Sequence, residues 1–175
     1  MVDESIVKTL GSYDGKRVAP FRAITDQLAI RPDALEVVIS IIESDSPHSH
    51  VGGTWILKRL LELGLEPDDT LSIRVTQWLE KCSEKDARLH LLQTIDIIEI
   101  QKECHKQLYE IARALTKDKN TLVRAWAYNA LGVIALQNST YQTKTLAQFH
   151  KALETESPAV KARIRNSEYL AKNRD

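Results

Sequence analysis

Four large side chains recur at one register of this chain: Trp55, His90, Trp126 and Arg163, spaced by 35, 36 and 37 residues. Three positions after them stand Lys58, Gln93, Asn129 and Asn166, and residues three apart on a helix share a face. Rings and a guanidinium flanked by hydrogen-bonding groups are chemistry for recognition rather than for breaking bonds. Rigid amphipathic side chains bring large contact area at low entropic cost, which is why they concentrate at binding hot spots. These eight residues are the candidate binding stripe. The competing reading buries both tryptophans as wedges between neighbouring helices.

Other chemistry is thinner. His48-Ser49-His50 beside Asp45, and Cys104-His105, offer ligand-type side chains. Adjacent or alternate residues point in different directions, however, and neither group has a second Cys or His at the three- or four-residue spacing a metal centre uses. No metal and no cofactor is expected. Asp45-Ser46-Pro47 reads as a turn leading into the next helix. The sequence has no Gly-x-Ser-x-Gly elbow, Gly-rich phosphate loop, His-Glu-x-x-His or dinucleotide fingerprint, so no residue is assigned to catalysis. Gly52-Gly53, at a helix start, could hold an anion on exposed backbone N–H groups. A close helix–helix approach is the preferred reading of the pair.

The elements that must position the stripe are helices. Apolar residues recur at helical spacing almost throughout and no run alternates at the period of a strand, so no sheet is expected. Ser157-Pro158 reads as an N-cap followed by Pro at the first helical position, and Asn120 as the cap of the helix that carries Val123-Arg124. Gly64, with Pro67 just beyond, fits a left-handed C-cap. Cys82 and Cys104 are both placed inside helices, as reduced thiols.

The register of the stripe belongs to an internal repeat. Segments starting at Gly52, Ala87, Val123 and Val160 align. The fourth residue after each start is Ile56, Leu91, Ala127 or Ile164, and the eighth is Leu60, Ile95, Leu131 or Glu168. Helices ending near Ile42, Leu79, Leu115 and Leu153 precede them. Each unit is thus a helix pair. Val123-Arg124-Ala125-Trp126-Ala127-Tyr128-Asn129-Ala130-Leu131-Gly132 resembles the second helix of a HEAT repeat, and Val160-Lys161 repeats its opening. Glu168 departs from that pattern and marks a solvent-facing edge. The resemblance implies one all-α domain over residues 1–175, a right-handed α-α superhelix (solenoid) of about five stacked antiparallel pairs. Residues 1–31 form a degenerate capping pair and residues 32–172 four repeats of about 36 residues. It implies a scaffold whose second helices line a concave face, with the basic position at Arg88, Arg124 and Lys161 (Gly53 in the first unit) bracing acids such as Asp86 and Asp118.

A chain of 175 residues with 43% hydrophobic and 27% charged residues is long enough and apolar enough to fold alone. No stretch approaches a membrane span, and the acidic start Met1-Val2-Asp3-Glu4 reads as no targeting signal, so a cytoplasmic setting and no membrane partner are expected. Net charge is zero, yet residues 1–86 hold 10 Lys+Arg against 15 Asp+Glu and residues 87–175 hold 14 against 9. Arg163, Arg165, Lys172 and Arg174 add to the basic end. The expected function is a non-enzymatic protein-interaction or scaffold module whose partner is another protein or peptide. Nucleic-acid binding, in the manner of HEAT-like alkylpurine DNA glycosylases, is the alternative, disfavoured by the neutral balance. Self-association through oppositely charged ends is a third reading.

Overall fold

The computed structural model describes residues 4–46 and 48–172, which leaves Pro47 and Arg174 of the preceding reading outside the described residues. Among the described residues there are eleven α-helices and two short 3-10 turns, with no strand. The helices are α1 (Glu4–Gly11), α2 (Ala19–Leu28), α3 (Ala34–Ile42), α4 (Ser49–Glu62), α5 (Leu71–Lys81), α6 (Lys85–Ile95), α7 (His105–Leu115), α8 (Thr121–Gln137), α9 (Gln142–Thr155), α10 (Pro158–Arg165) and α11 (Glu168–Lys172). The four aligned segments open within α4, α6, α8 and α10, and the helices before them end at or within two residues of the expected positions. Among the described residues no helix is long and apolar enough to cross a membrane. The cysteines depart from expectation. Cys82 lies one residue beyond α5 and Cys104 closes a 3-10 turn, both free thiols. Arg88 Nε takes the Cys82 carbonyl at 2.9 Å, which gives that carbonyl a side-chain partner in place of a helical one.

The chain divides into two compact units, one of residues 1–68 and 82–97 and the other of residues 69–81 and 98–175. In the first, α4 packs on α2, α3 and α6. Ile56, Leu57, Leu60, Leu91, Leu92 and Ile95 are buried there with Leu10, Phe21 and Ile41. Each such side chain contributes about 1.5–3 kcal/mol by leaving water. The glycine pair allows the approach: a Cβ on Gly52 would sit 2.6 Å from Leu10 Cδ2, and one on Gly53 2.6 Å from Ile42 Cγ1 and 3.1 Å from the Ile42 backbone nitrogen. Gly64, at φ +97°, ends α4 in a Schellman closure, with Leu65 N–H on the Leu60 carbonyl at 2.9 Å and Gly64 N–H on Leu61 at 3.0 Å.

In the second unit α8 is the central helix, packed on α7, α9, α10 and α11. Ala125, Ala127, Ala130, Gly132 and Ala135 keep its surface low, so Phe149, Val160, Ile164 and Tyr169 are buried in the same unit. Asn120 caps α8 as its type predicts, its side-chain oxygen accepting from Leu122 N–H at 2.9 Å and Val123 N–H at 3.2 Å. Ser157 and Pro158 do open α10, but the serine hydroxyl makes no cap bond and is buried without a partner. Glu168 is exposed at the start of α11, where it pairs with Lys172 at 2.5 Å. The seam therefore stops at Ile164, since α10 has already ended at Arg165.

Candidate functional site

The eight stripe residues fall into two groups of four, one in each unit. Trp55 and Lys58 stand on α4, with His90 and Gln93 on α6; Trp126 and Asn129 stand on α8, with Arg163 and Asn166 on or just after α10.

In the first unit Trp55 is half-buried against Phe21, their ring centroids 5.9 Å apart. It lines an open groove of about 610 Å³ together with Arg22 and Asp26 of α2 and Lys58, Arg59 and Glu62 of α4. Glu62 is held from two sides, by Lys58 Nζ at 2.9 Å and Arg59 Nη1 at 3.0 Å. Burial pushes its carboxyl up, but the hydrogen bonds and charges of Lys58 and Arg59 outweigh this, and its pKa falls below the ordinary value. His90 has a different role. Its Nδ1 lies 3.2 Å from Thr54 Oγ1, which ties α6 to α4. Burial, reinforced by the nearby Lys58 charge, lowers its pKa to about 4, so the ring is neutral at pH 7. Gln93 beside it is half-buried.

In the second unit Arg163 covers Trp126, its guanidinium carbon 3.8 Å from the ring centroid. One face of that indole is thereby occupied by the protein's own cation, a contact worth about 0.5–1 kcal/mol where partly exposed. Asn129 is buried at 5% exposure, and Asn166 is exposed at the end of α10. Burial removes Asn129 from any exposed surface. Asn166 is the exposed member and the other six are half-buried; of these, Trp55 and Lys58 line the groove of the first unit, and Trp126 and Arg163 stack on each other in the second.

The basic position of the repeat acts on the main chain. Arg88 donates to the Cys82 carbonyl at 2.9 Å, Arg124 Nη1 to the Asp118 carbonyl at 3.0 Å, and Lys161 Nζ to the Glu154 carbonyl at 3.0 Å. Arg124 Nε also meets the Glu156 carboxylate at 3.3 Å. A cation set against carbonyls in the last turn of a helix or just past its C-terminus is favoured by the helix dipole and satisfies acceptors the helix leaves open.

Among the ligand-type groups, His50 and Cys82 both approach Glu84. His50 Nδ1 is 3.7 Å from Glu84 Oε2, and Cys82 Sγ is 3.6 Å from the same oxygen. Burial raises the Cys82 pKa to about 11, so the thiol stays protonated and is a poor nucleophile or ligand. Both nitrogens of His105 are engaged, Nε2 with the Ile100 carbonyl at 3.1 Å and Nδ1 with Asn138 Nδ2 at 3.2 Å. Among the described residues no three His, Cys, Asp or Glu side chains are placed to hold a metal ion.

Two features escaped the sequence reading. One is the set of charged partners around Trp55, of which only the Lys58-to-Glu62 spacing of four was visible beforehand. The other is a groove of about 620 Å³ in the second unit, lined by Arg113 and Lys117 at the end of α7, Tyr128 of α8, and Gln148, Lys151 and Glu156 at α9. Tyr128 stands two residues after Trp126, about 200° around the helix, and so faces away from the stripe. Burial, and then the Glu156 charge, raises its hydroxyl pKa above the usual value. Comparison with protein-family models, curated proteins and solved structures finds no match to this chain.

Proposed function

We propose that this chain is a non-enzymatic protein-interaction module of the HEAT-like solenoid kind, cytoplasmic, gripping another protein or a peptide with the second helices of its repeats. The observation that carries the reading is the open groove of about 610 Å³ beside half-buried Trp55, rimmed by charges of both signs. An amphipathic ring with fixed charged neighbours is the usual anchor of a peptide interface. The repeat architecture is supported by two further regularities. Helices α4 and α6 pack together, as do α8 and α10, and a basic residue in α6, α8 and α10 braces a carbonyl six or seven residues upstream.

Peptide-display selection on the purified chain, followed by calorimetric titration of the recovered sequences, tests it. Trp55→Ala is expected to weaken binding tenfold or more, while Leu122→Ala, at an exposed residue that is not in the groove lining, leaves it unchanged. Failure to select any peptide, or peptides indifferent to Trp55→Ala and to Trp126→Ala with Arg163→Glu, counts against the module.

One observation favours nucleic acid as a second reading. The second unit holds 15 Lys+Arg against 10 Asp+Glu, a formal +5. Stacking of a base on Trp126 requires Arg163 to move aside. A flat duplex titration at low salt removes this reading.

A further inference from the structure

The groove of the second unit and the loop after α4 carry opposite charge, and neither belongs to the stripe. Lys117 and Lys151 both line the groove of about 620 Å³ and both are exposed. Among the described residues neither makes an ion pair. Of the other charged residues in the lining, Glu156 is engaged by Arg124 at 3.3 Å and Arg113 by Glu110 at 2.5 Å. Two uncompensated positive charges therefore face the opening, beside the phenol of Tyr128.

Residues 66–69 read Glu66-Pro67-Asp68-Asp69, all exposed and outside any helix. They bring three carboxylates within four residues. The Schellman closure at Gly64 anchors the segment on one side, and Pro67 fixes one of its φ angles. A segment already restricted in this way loses less freedom when it is captured. The loop runs from the end of one unit, Asp68, to the start of the other, Asp69, while the groove lies wholly in the second. The first unit holds 9 Lys+Arg against 14 Asp+Glu, a formal −5, and the second a formal +5, so the whole chain is neutral and copies do not repel one another.

We propose that residues 66–69 of one molecule dock in the groove between α7, α8 and α9 of a second copy, Glu66 and Asp69 facing Lys117 and Lys151. The two patches differ, so the contact is heterologous. A pair therefore keeps one vacant groove, on one molecule, and one undocked acidic loop, on the other, and assembly grows unless it closes into a ring. The attraction is between exposed charges and is therefore steeply dependent on ionic strength.

Sedimentation velocity of the full chain over a range of concentrations tests this, at about 0.01 M and about 1 M salt, where the screening lengths are about 30 Å and 3 Å. At low salt the mean mass is expected to rise with concentration; at high salt it returns to the 19.8 kDa monomer. Lys117→Gln with Lys151→Gln removes the groove charge, and Glu66→Gln with Asp69→Asn removes the loop charge. Each pair of exposed substitutions is expected to weaken association roughly tenfold. An equimolar mixture of the two variants has one working groove and one working loop between them, and should form a 1:1 pair that grows no further. A wild-type chain that stays monomeric at low salt overturns the proposal. So do variants that associate like wild type, or a mixture that does not pair.

Discussion

At the same repeat position the first unit places Trp55 beside His90, and the second places Trp126 beside Arg163. In the first, the tryptophan borders an open groove and its neighbour is a neutral, half-buried imidazole hydrogen-bonded to Thr54 at 3.2 Å. In the second, the tryptophan's face is covered at 3.8 Å by a permanent cation from α10. One pair leaves the ring for a partner and uses its neighbour as an internal fastening. The other satisfies the ring internally and leaves its neighbour's charge near the surface. Equal register therefore does not mean equal chemistry, because a residue's role depends on whether the facing helix supplies a titratable, desolvated group or a solvated one.

The largest expected consequence of that difference is pH dependence. His90 has a folded pKa of about 4 against 6.5 unperturbed, so between those values the unfolded chain binds the extra proton. Stability contributed by the neutral ring is intact above pH 6.5, is lost as pH falls towards 4, and levels off below. The loss amounts to up to about 3 kcal/mol. Urea unfolding at pH 7, 5.5 and 4.5 measures it, and His90→Gln should flatten that part of the profile. Arg163→Met should leave the profile untouched. If His90→Gln and wild type lose stability in parallel, the imidazole is not the group responsible.

A smaller contrast lies within the second unit, between two positions that both read as helix caps. Asn120→Ala removes an acceptor used by two N–H groups and is expected to cost about 1 kcal/mol. Ser157→Ala removes a buried hydroxyl without a partner and should be neutral or stabilising. Equal losses in chemical denaturation would mean that the Ser157 hydroxyl does cap α10 in solution. The smallest effect is that of Arg163→Met, at about 0.5 kcal/mol. It should be visible as a change in tryptophan emission, which Lys161→Met, on the same helix, does not reproduce.

Helix type and placement were legible beforehand because they rest on local chemistry. The 3.6-residue spacing of apolar side chains, the amide of Asn120 and the conformational freedom of Gly64 act within a few residues, and each took the part its type implies. The seam at Ile56, Leu60, Leu91, Ile95 and Leu131 was legible for the same reason, since periodicity alone selects a buried face. Register also picked out the two tryptophans, but could not say which would border a groove. That choice belongs to the tertiary structure, as do the neutral state of His90, the stacking of Arg163 and the pair of lysines facing one groove from α7 and α9. Each needs side chains from separate helices brought within a few ångströms, where burial and the nearest charge decide protonation and access. His90 and Thr54 are 36 residues apart and Arg163 and Trp126 are 37 apart, and the type of one residue carries no information about which partner the fold sets against it.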